Sequence, residues 1–342
     1  MNDVVAPVLA AISRRVDCSA ADIGAALSEI LEGRATDVQA AGFAIALRTK
    51  GETLEELTAL VATMLRYATL VADIPEGAID TCGTGGDRSG SINVSTIATL
   101  VAVGAGVTVV KHGNRAASSK CGSADLLEAL GMPIELGPEG ISKCVTEAHV
   151  GFCFAPKFHP ALRFLGPARR ELGVPTSFNF LGPLLNPARV KRQVVGVSDP
   201  LMAEPMLNVL AATGVERAMV VHGHDGLDEI TTTTTSTIYE LDAGAVRQTT
   251  VNPTDYDMPL VSPDALSGGD VDDNVAALRA VLSGDAGPHR DICVLNSAAA
   301  LVIAGLASDL RDGVERSRAS IDSGDADAAL RRWLEVANTV AR

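Results

Sequence analysis

The sequence predicts an α/β protein in which an all-helical N-terminal stretch precedes a mostly parallel sheet flanked by helices. Three observations carry that prediction. Apolar residues recur every three or four positions within residues 1–70. From residue 78 short apolar runs alternate with amphipathic stretches, the texture of a parallel sheet with helices on its faces. The C-terminal part, 273–282 and 296–340, reads helical again.

In the first stretch, Ser19 and Asp22 precede the run Ile23, Leu27, Ile30, Leu31, and Asp37 opens 38–47 with the same spacing. Thr53 and Glu56 form a capping box before Leu57, Leu60, Val61 and Leu65. Pro75 and Glu76-Gly77 break the pattern. Strands are then expected at 78–82, 107–110, 151–155, 193–197, 218–221 and 236–241, with helices at 94–103, 123–130, 138–148 and 202–212. The threonine run 231–235 reads as the lead-in to a strand.

A chain of 342 residues suits one large domain plus a smaller one, or two modest domains. With 47% hydrophobic and 20% charged residues, a sizeable core is expected. Aromatics are only 3%, so Ala, Val, Leu and Ile must build it, and stacking on single-stranded nucleic acid is disfavoured. A net charge of −14 also repels polyanions. A polyphosphate ligand must therefore be held by local donors and a metal ion. Six cysteines, with no C-x-x-C pair, read as reduced core thiols. The N-terminus lacks the basic region of a secretion signal, and no apolar run reaches the ~20 residues of a membrane span. A cytoplasmic protein is expected.

Four segments carry candidate chemistry. Asp80–Asp87, followed by Ser91–Thr96, runs from a strand end through a Gly-rich turn to a helix start near 93–95. Glycines let backbone N–H groups approach a ligand, and a helix N-terminus adds partial positive charge, so the segment fits an anion site. It is neither a Walker loop nor a dinucleotide fingerprint, whose third glycine is replaced by Arg88. A tight turn with a Ser/Asn cap fits as well. Lys111–Ser123 holds two lysines, an arginine, an asparagine, three serines and two glycines. Lysine supplies charge and the hydroxyls supply direction, a mixture suited to a diphosphate. His112 alone reads as a structural histidine. In 222–229 the adjacent carboxylates Asp228 and Glu229 lie just beyond a strand, where ligands of open α/β sheets bind. One or two carboxylates plus substrate phosphates suit Mg²⁺. His222 and His224 could suggest a transition metal, but no other ligand cluster supports it. Arg163, Arg169 and Arg170 could bind a carboxylate bidentately, or form a solvated helix face.

The motifs GTGGD at 83–87, NVST at 93–96, KHGNRAASS at 111–119, GSADLLEALG at 122–131, FAPKFHPAL at 154–162, RRELG at 169–173, FNFLGPLLNPA at 178–188 and DGLDE at 225–229 resemble the anthranilate phosphoribosyltransferase family. They occur in the family's order, from about residue 15 to the C-terminal helices. The resemblance implies transfer of phosphoribose from phosphoribosyl diphosphate to anthranilate in tryptophan biosynthesis. It implies that Gly83, Gly86, Asp87, Ser91, Asn93, Val94, Ser95 and Thr96 line the phosphoribosyl diphosphate site. Lys111, His112, Gly113, Asn114, Arg115, Ala116, Ala117, Ser118 and Ser119, with Ser123, would form its other wall. Ser95, Asp228 and Glu229 would hold one or two Mg²⁺. Gly83, Asn114 and Arg169 would contact anthranilate, with His112 and His159 lining its channel; no dedicated acid or base is implied. Phe158 and Phe180 depart from the family's usual residues without touching a proposed ligand group.

The implied fold has a small all-helical domain, 1–70 with about 160–180 returning to it, and a large α/β domain, 75–158 and 181–342. Arg169 is then expected on the face opposite the phosphate loops. A homodimer through the helical domain is implied, with no nucleic-acid or membrane partner. A pyrimidine-nucleoside phosphorylase of the same architecture is the second reading, but it would need a Lys-His-Ser-type loop where this chain has Lys-His-Gly-Asn. A non-catalytic, nucleic-acid-binding relative is the third, and the net charge argues against it.

Overall fold

The computed structural model describes residues 2–116 and 120–342. Four helices come first: α1 (Val5–Ile12), α2 (Ala20–Leu31), α3 (Asp37–Lys50) and α4 (Leu54–Arg66). The last three begin at a hydroxyl that accepts a first-turn N–H: Ser19 from Asp22, Thr36 from Gln39 and Thr53 from Glu56. The Thr53 capping box is tied further into the core. Glu56 is fully buried, pairs with Lys50 at 2.8 Å and accepts the Cys18 N–H at 3.0 Å. A charge survives such burial because it is paired and hydrogen-bonded.

The strands are β1 (Ile79–Gly83), β2 (Val109–Gly113), β3 (Val150–Phe154), β4 (Arg192–Gly196), β5 (Arg217–Gly223), β6 (Ser236–Asp242) and β7 (Ala245–Val251). The helices between and after them are α5 (Val94–Gly104), α6 (Ser123–Ala129), α7 (Pro138–Ala148), α8 (Ala155–Phe158), α9 (Gly166–Leu172), α10 (Ser177–Phe180), α11 (Ala203–Ala212), α12 (Val271–Leu282), α13 (Pro288–Ala304), α14 (Leu310–Asp322) and α15 (Asp325–Val340). Strand order is β3-β2-β1-β4-β5-β6-β7. The first five strands are parallel; β6 and β7 are antiparallel. The chain enters at β1, builds outward to β3, then crosses back to lay β4 on the other side of β1. Strand order therefore reverses between β1 and β4, and a crevice opens at their carboxyl ends, the usual ligand position in such sheets.

Two differences from the sequence expectations have physical causes. The strand β7 was not anticipated, because all but its last residue face solvent and no apolar alternation marks it. It exists because Ala243 and Gly244, with φ of 47° and 85°, make a two-residue hairpin turn that returns it along β6. The helical part expected from 296 starts earlier, with Pro288 in the first turn of α13, where a missing N–H costs no bond, and divides into α13, α14 and α15.

Two apolar clusters fill the molecule. One joins β1–β3, α5–α7 and the C-terminal helices around Trp333. The other joins α1–α4 to Leu165, Ala168, Phe178–Leu185 and α11. The sheet is shared between them. Along β4 and β5, Val194, Met219 and Val221 face the first cluster, while Val195, Ala218 and Val220 face the second. None of the described helices is long and apolar enough to cross a membrane.

Candidate active site

The crevice is built around two glycines. Gly83 ends β1 and pairs in register with Gly196, which ends β4. A Cβ on Gly196 would fall 1.6 Å from the Asp228 carbonyl oxygen, and one on Gly83 would fall 2.3 Å from Asp228 Oδ2. Only bare backbone lets the loop after β5 fold down over the strand ends. Asp228 Oδ2 then accepts the Gly85 N–H at 2.7 Å. The threonine run pins the same loop. Asp225 Oδ2 accepts from the Thr231 and Thr233 hydroxyls at 2.7 and 2.5 Å, while Oδ1 accepts the Leu227 N–H at 3.1 Å.

Asp228 and Glu229 sit on the floor of this cleft, ringed by protein but keeping some solvent-facing surface. Burial, then the charge of Asp87, pushes the Asp228 carboxyl up to about 7. Burial, then Asp228, pushes Glu229 well above the usual range, against the pull of Lys111. The backbone of Ser95, in the first turn of α5, opposes that rise. Lys111 is 1% exposed; its Nζ donates to Thr81 O at 2.5 Å and Ser95 Oγ at 3.1 Å. Burial lowers its pKa, and Asp80 works against that fall. Asp80, itself fully buried, accepts the His112 N–H at 3.0 Å and so fixes the start of the second loop.

The donor set fits a hard divalent cation. Three carboxylates, Asp87, Asp228 and Glu229, act on one another electrostatically, and Lys111 is the cation that opposes them. Carboxylate and hydroxyl oxygens suit Mg²⁺, which keeps much of its coordination for water and substrate phosphates. Among the described residues no group of three or more His, Cys, Asp or Glu is gathered closely enough to hold a metal ion by itself. The histidines of this segment are engaged elsewhere. His222 Nδ1 bonds Val197 O, and both ring nitrogens of His224 bond threonine hydroxyls, all at 2.8 Å.

The first glycine loop is braced from the C-terminal half. Gly85, Gly86 and Arg88 take φ of 64°, 78° and 57°, so Arg88 adopts left-handed backbone where a dinucleotide fingerprint would place glycine. Asp87 accepts the Ser89 hydroxyl at 2.7 Å, and the Ser89 and Ser91 hydroxyl oxygens lie 3.1 Å apart. Ser91 pairs with Ser267. Asn93, which precedes Val94 at the helix start, donates its N–H and its Nδ2 to Asn274 Oδ1 on α12, at 3.0 and 3.1 Å. Its Nδ2 also reaches Cys121 O at 3.2 Å, which ties the two loops together. Thr96 lies one turn in, its Oγ1 buried without a partner.

In the second loop, Gly113 closes β2, Ser123 Oγ donates to Asn114 O at 3.2 Å, and Asp125 accepts the Ala116 and Gly122 N–H groups at 2.9 Å each. Arg115 turns away onto α6, where it pairs with Asp125 at 3.0 Å and Glu128 at 2.8 Å. Its guanidinium thereby braces the loop against α6. Ala117, Ser118 and Ser119 lie outside the described residues.

A second set of groups is left open. His112 and His159 meet edge to face, ring centroids 5.0 Å apart. Both are buried, and His112 Nε2 and both nitrogens of His159 lack a hydrogen-bond partner. Burial, with His159 adding to it, lowers the His112 pKa to about 3; burial lowers His159 to about 4. Both rings are neutral near pH 7. Arg169 lies on α9, which packs against α3, and is half-buried; its guanidinium has no hydrogen bond or ion pair among the described residues. Burial lowers its pKa. The fold brings the two histidines together but gives Arg169 no bond to them. Asp125, Asn274 and Asn296 were missed from sequence, although a lone asparagine in an apolar helix is itself a signal that a buried partner exists.

Residues 75–327 match the glycosyl transferase family a/b domain, and residues 6–68 match that family's helical bundle domain. An anthranilate phosphoribosyltransferase of Salinispora arenicola is 50% identical, over 97% of this chain and 96% of its own length. The crystal structure of anthranilate phosphoribosyltransferase from Thermus thermophilus superposes with a TM-score of 0.90 at 36% identity, covering 96% of this chain and 99% of that one. The Saccharomyces cerevisiae enzyme in complex with phosphoribosyl diphosphate and Mg superposes with a TM-score of 0.89 at 26% identity, covering 99% of this chain and 100% of that one.

Proposed function

The chain belongs to the anthranilate phosphoribosyltransferase family, and from that premise we propose how its cleft divides between two substrates. The enzyme transfers the 5-phosphoribosyl group from phosphoribosyl diphosphate to the amine of anthranilate. The products are N-(5-phosphoribosyl)anthranilate and pyrophosphate, in the tryptophan-forming route from chorismate. The reaction uses Mg²⁺.

Phosphoribosyl diphosphate takes the wall formed by Gly83, Gly86, Asp87, Ser91 and Asn93–Thr96 on one side and Lys111–Ser119 with Ser123 on the other. Ser95, Asp228 and Glu229 hold one or two Mg²⁺. The observation that carries this reading is the group of three carboxylates opposed by Lys111 at the sheet's switch point. When bound, the metal neutralises diphosphate oxygens and so favours their departure. Lys111 is held by Thr81 O and Ser95 Oγ with its charge at the strand ends, where leaving-group charge develops.

Anthranilate takes the other wall. Arg169 receives its carboxylate, Gly83 and Asn114 border it, and the neutral rings of His112 and His159 line the approach. The bond from the anomeric carbon to nitrogen forms as the bond to the diphosphate oxygen breaks, and the amine then loses a proton. An aryl amine is already a neutral nucleophile, so positioning outweighs general-base strength. The helical domain is residues 1–70 with about 160–180, and the α/β domain is 75–158 with 181–342; closure between them carries Arg169 toward the diphosphate. The packing of Leu165, Ala168, Phe178 and Phe180 with α1–α4 supports that division.

Two chains pair through the helical domain, a reading supported by exposed Val4, Val38 and Leu54 there. The buried thiols Cys144, Cys153 and Cys293 form no disulfide, which supports residence in a reducing cytoplasm. The test of the main reading is loss of anthranilate fluorescence on addition of phosphoribosyl diphosphate and MgCl₂, abolished by EDTA and by Asp228→Asn. Fluorescence loss that survives both would refute the assigned metal carboxylates.

A further inference from the structure

Asn296 lies in the middle of α13, among alanine, valine, leucine and isoleucine, where asparagine is a poor helix former. Its side chain is 5% exposed, and all its hydrogen-bonding groups are engaged. Oδ1 accepts the Ile230 N–H at 2.9 Å. Nδ2 donates to Ile230 O at 2.9 Å and to Ile292 O, one turn back in its own helix, at 2.9 Å. Two bonds to the N–H and C=O of a single residue fix both its position and the rotation of its backbone. Ile230 follows Glu229 directly, and its own side chain is fully buried.

The carboxylate loop is thus pinned on two sides. On the outer side, Asp225 is held by the Thr231 and Thr233 hydroxyls, and Asp228 by the Gly85 N–H. On the inner side the hold comes from Asn296, which also lines, with Thr81, Ser95 and Glu229, the small cavity beneath the cleft. The geometry points to Asn296 as a positioning residue that aims the Asp228–Glu229 carboxylates at the metal through the backbone of Ile230. This rests on the reading of Asp228 and Glu229 as magnesium carboxylates. Outer-sphere partners of metal ligands typically change metal affinity by about 10–100-fold when removed.

The experiment measures binding without turnover. Phosphoribosyl diphosphate is titrated calorimetrically into the full-length protein, in the absence of anthranilate, at limiting and at excess MgCl₂. Asn296→Leu keeps the volume and removes all three bonds. Asn296→Ser is smaller and can still bond Ile292 O within the helix, but it cannot span both groups of Ile230, so it tests the same clamp should the leucine variant not fold. Ser317→Ala, which breaks the buried hydroxyl pair between α14 and Ser297, the neighbour of Asn296 on α13, is the control for general loosening of that helix. Both Asn296 variants are expected to bind phosphoribosyl diphosphate about tenfold more weakly at limiting MgCl₂ and to recover at excess, with Ser317→Ala unchanged at both. An equal loss at both metal concentrations, or none at either, overturns the inference. Asp228→Asn, run alongside, separates the two claims. If it leaves the magnesium dependence intact, the metal reading falls and this inference falls with it. If it shifts that dependence while the Asn296 variants do not, only the positioning role is lost.

Discussion

The wall proposed for the diphosphate and the wall proposed for anthranilate treat their polar groups in opposite ways. Among the described residues of the first and its frame, Lys111, Asn93, Asn274, Asn296 and Asp225 are engaged by protein partners, while Thr96 Oγ1, Thr232 Oγ1 and Nε2 of His112, which borders both walls, have none. On the second, three histidine nitrogens and the Arg169 guanidinium are open. The first wall must hold mutually repelling carboxylates in a half-buried cleft, and a rigid bonded frame fixes where each of them sits. The second has no such repulsion to contain. It leaves donors for a planar ligand that brings its own carboxylate, and an unpartnered buried polar group costs about 1–3 kcal/mol until such a ligand arrives.

The largest effect that would sharpen this contrast is expected from Asp228→Asn combined with Glu229→Gln. Losing the proposed metal carboxylates should cost about 10²–10³-fold in kcat, as loss of a preorganised charge-stabilising group typically does, with little change in thermal stability. Steady-state rates at saturating MgCl₂ check it. Gly196→Ala comes next. Its Cβ collides with the backbone of Asp228, so the loop must shift, and displacement on the order of 1 Å costs about 10²-fold. The rate should fall while the anthranilate KM stays near its starting value.

A smaller effect comes from pH. The Asp228 carboxyl is raised from 3.8 to about 7 by burial and by Asp87. Metal-free protein therefore gains stability from this group below about pH 4 and loses that gain as the pH rises to about 7. His112 and His159 work in the opposite sense. Their pKa values are lowered from 6.5 to about 3 and about 4, so the stability linked to them is present above about pH 6.5 and lost as pH falls toward those values. Magnesium must displace the carboxyl proton. The MgCl₂ needed for half-maximal thermal stabilisation should thus fall by about tenfold from pH 6 to pH 8. A requirement that is flat over this range would break the link between the raised carboxyl and the metal. The smallest effect on catalysis is expected from Lys50→Ala. It strands buried Glu56 and should cost about 3–5 kcal/mol of stability by denaturant titration, yet leave both KM values unchanged.

Much of this was legible because it is local. The Thr53–Glu56 capping box, the short apolar runs that became β1–β6, and the adjacent carboxylates of DGLDE each announce themselves within a few residues. The frame around the site was not legible, because its meaning is tertiary. Asn274 and Asn296 are single polar residues on helices 181 and 66 positions from the backbone they hold. The threonines at 231 and 233 looked like a strand approach, and only the fold shows their hydroxyls on Asp225. Arg115 was expected on the phosphate wall, and its ion pairs with Asp125 and Glu128 on the neighbouring helix could not be read from the loop alone.

The division of the cleft is tested most directly by Arg169→Ala, with KM measured for both substrates. Removing a charged hydrogen-bonding partner of the acceptor carboxylate costs about 1.5–3 kcal/mol, so the anthranilate KM should rise about 10–100-fold while that for phosphoribosyl diphosphate stays within about twofold. Equal losses for both substrates would contradict it.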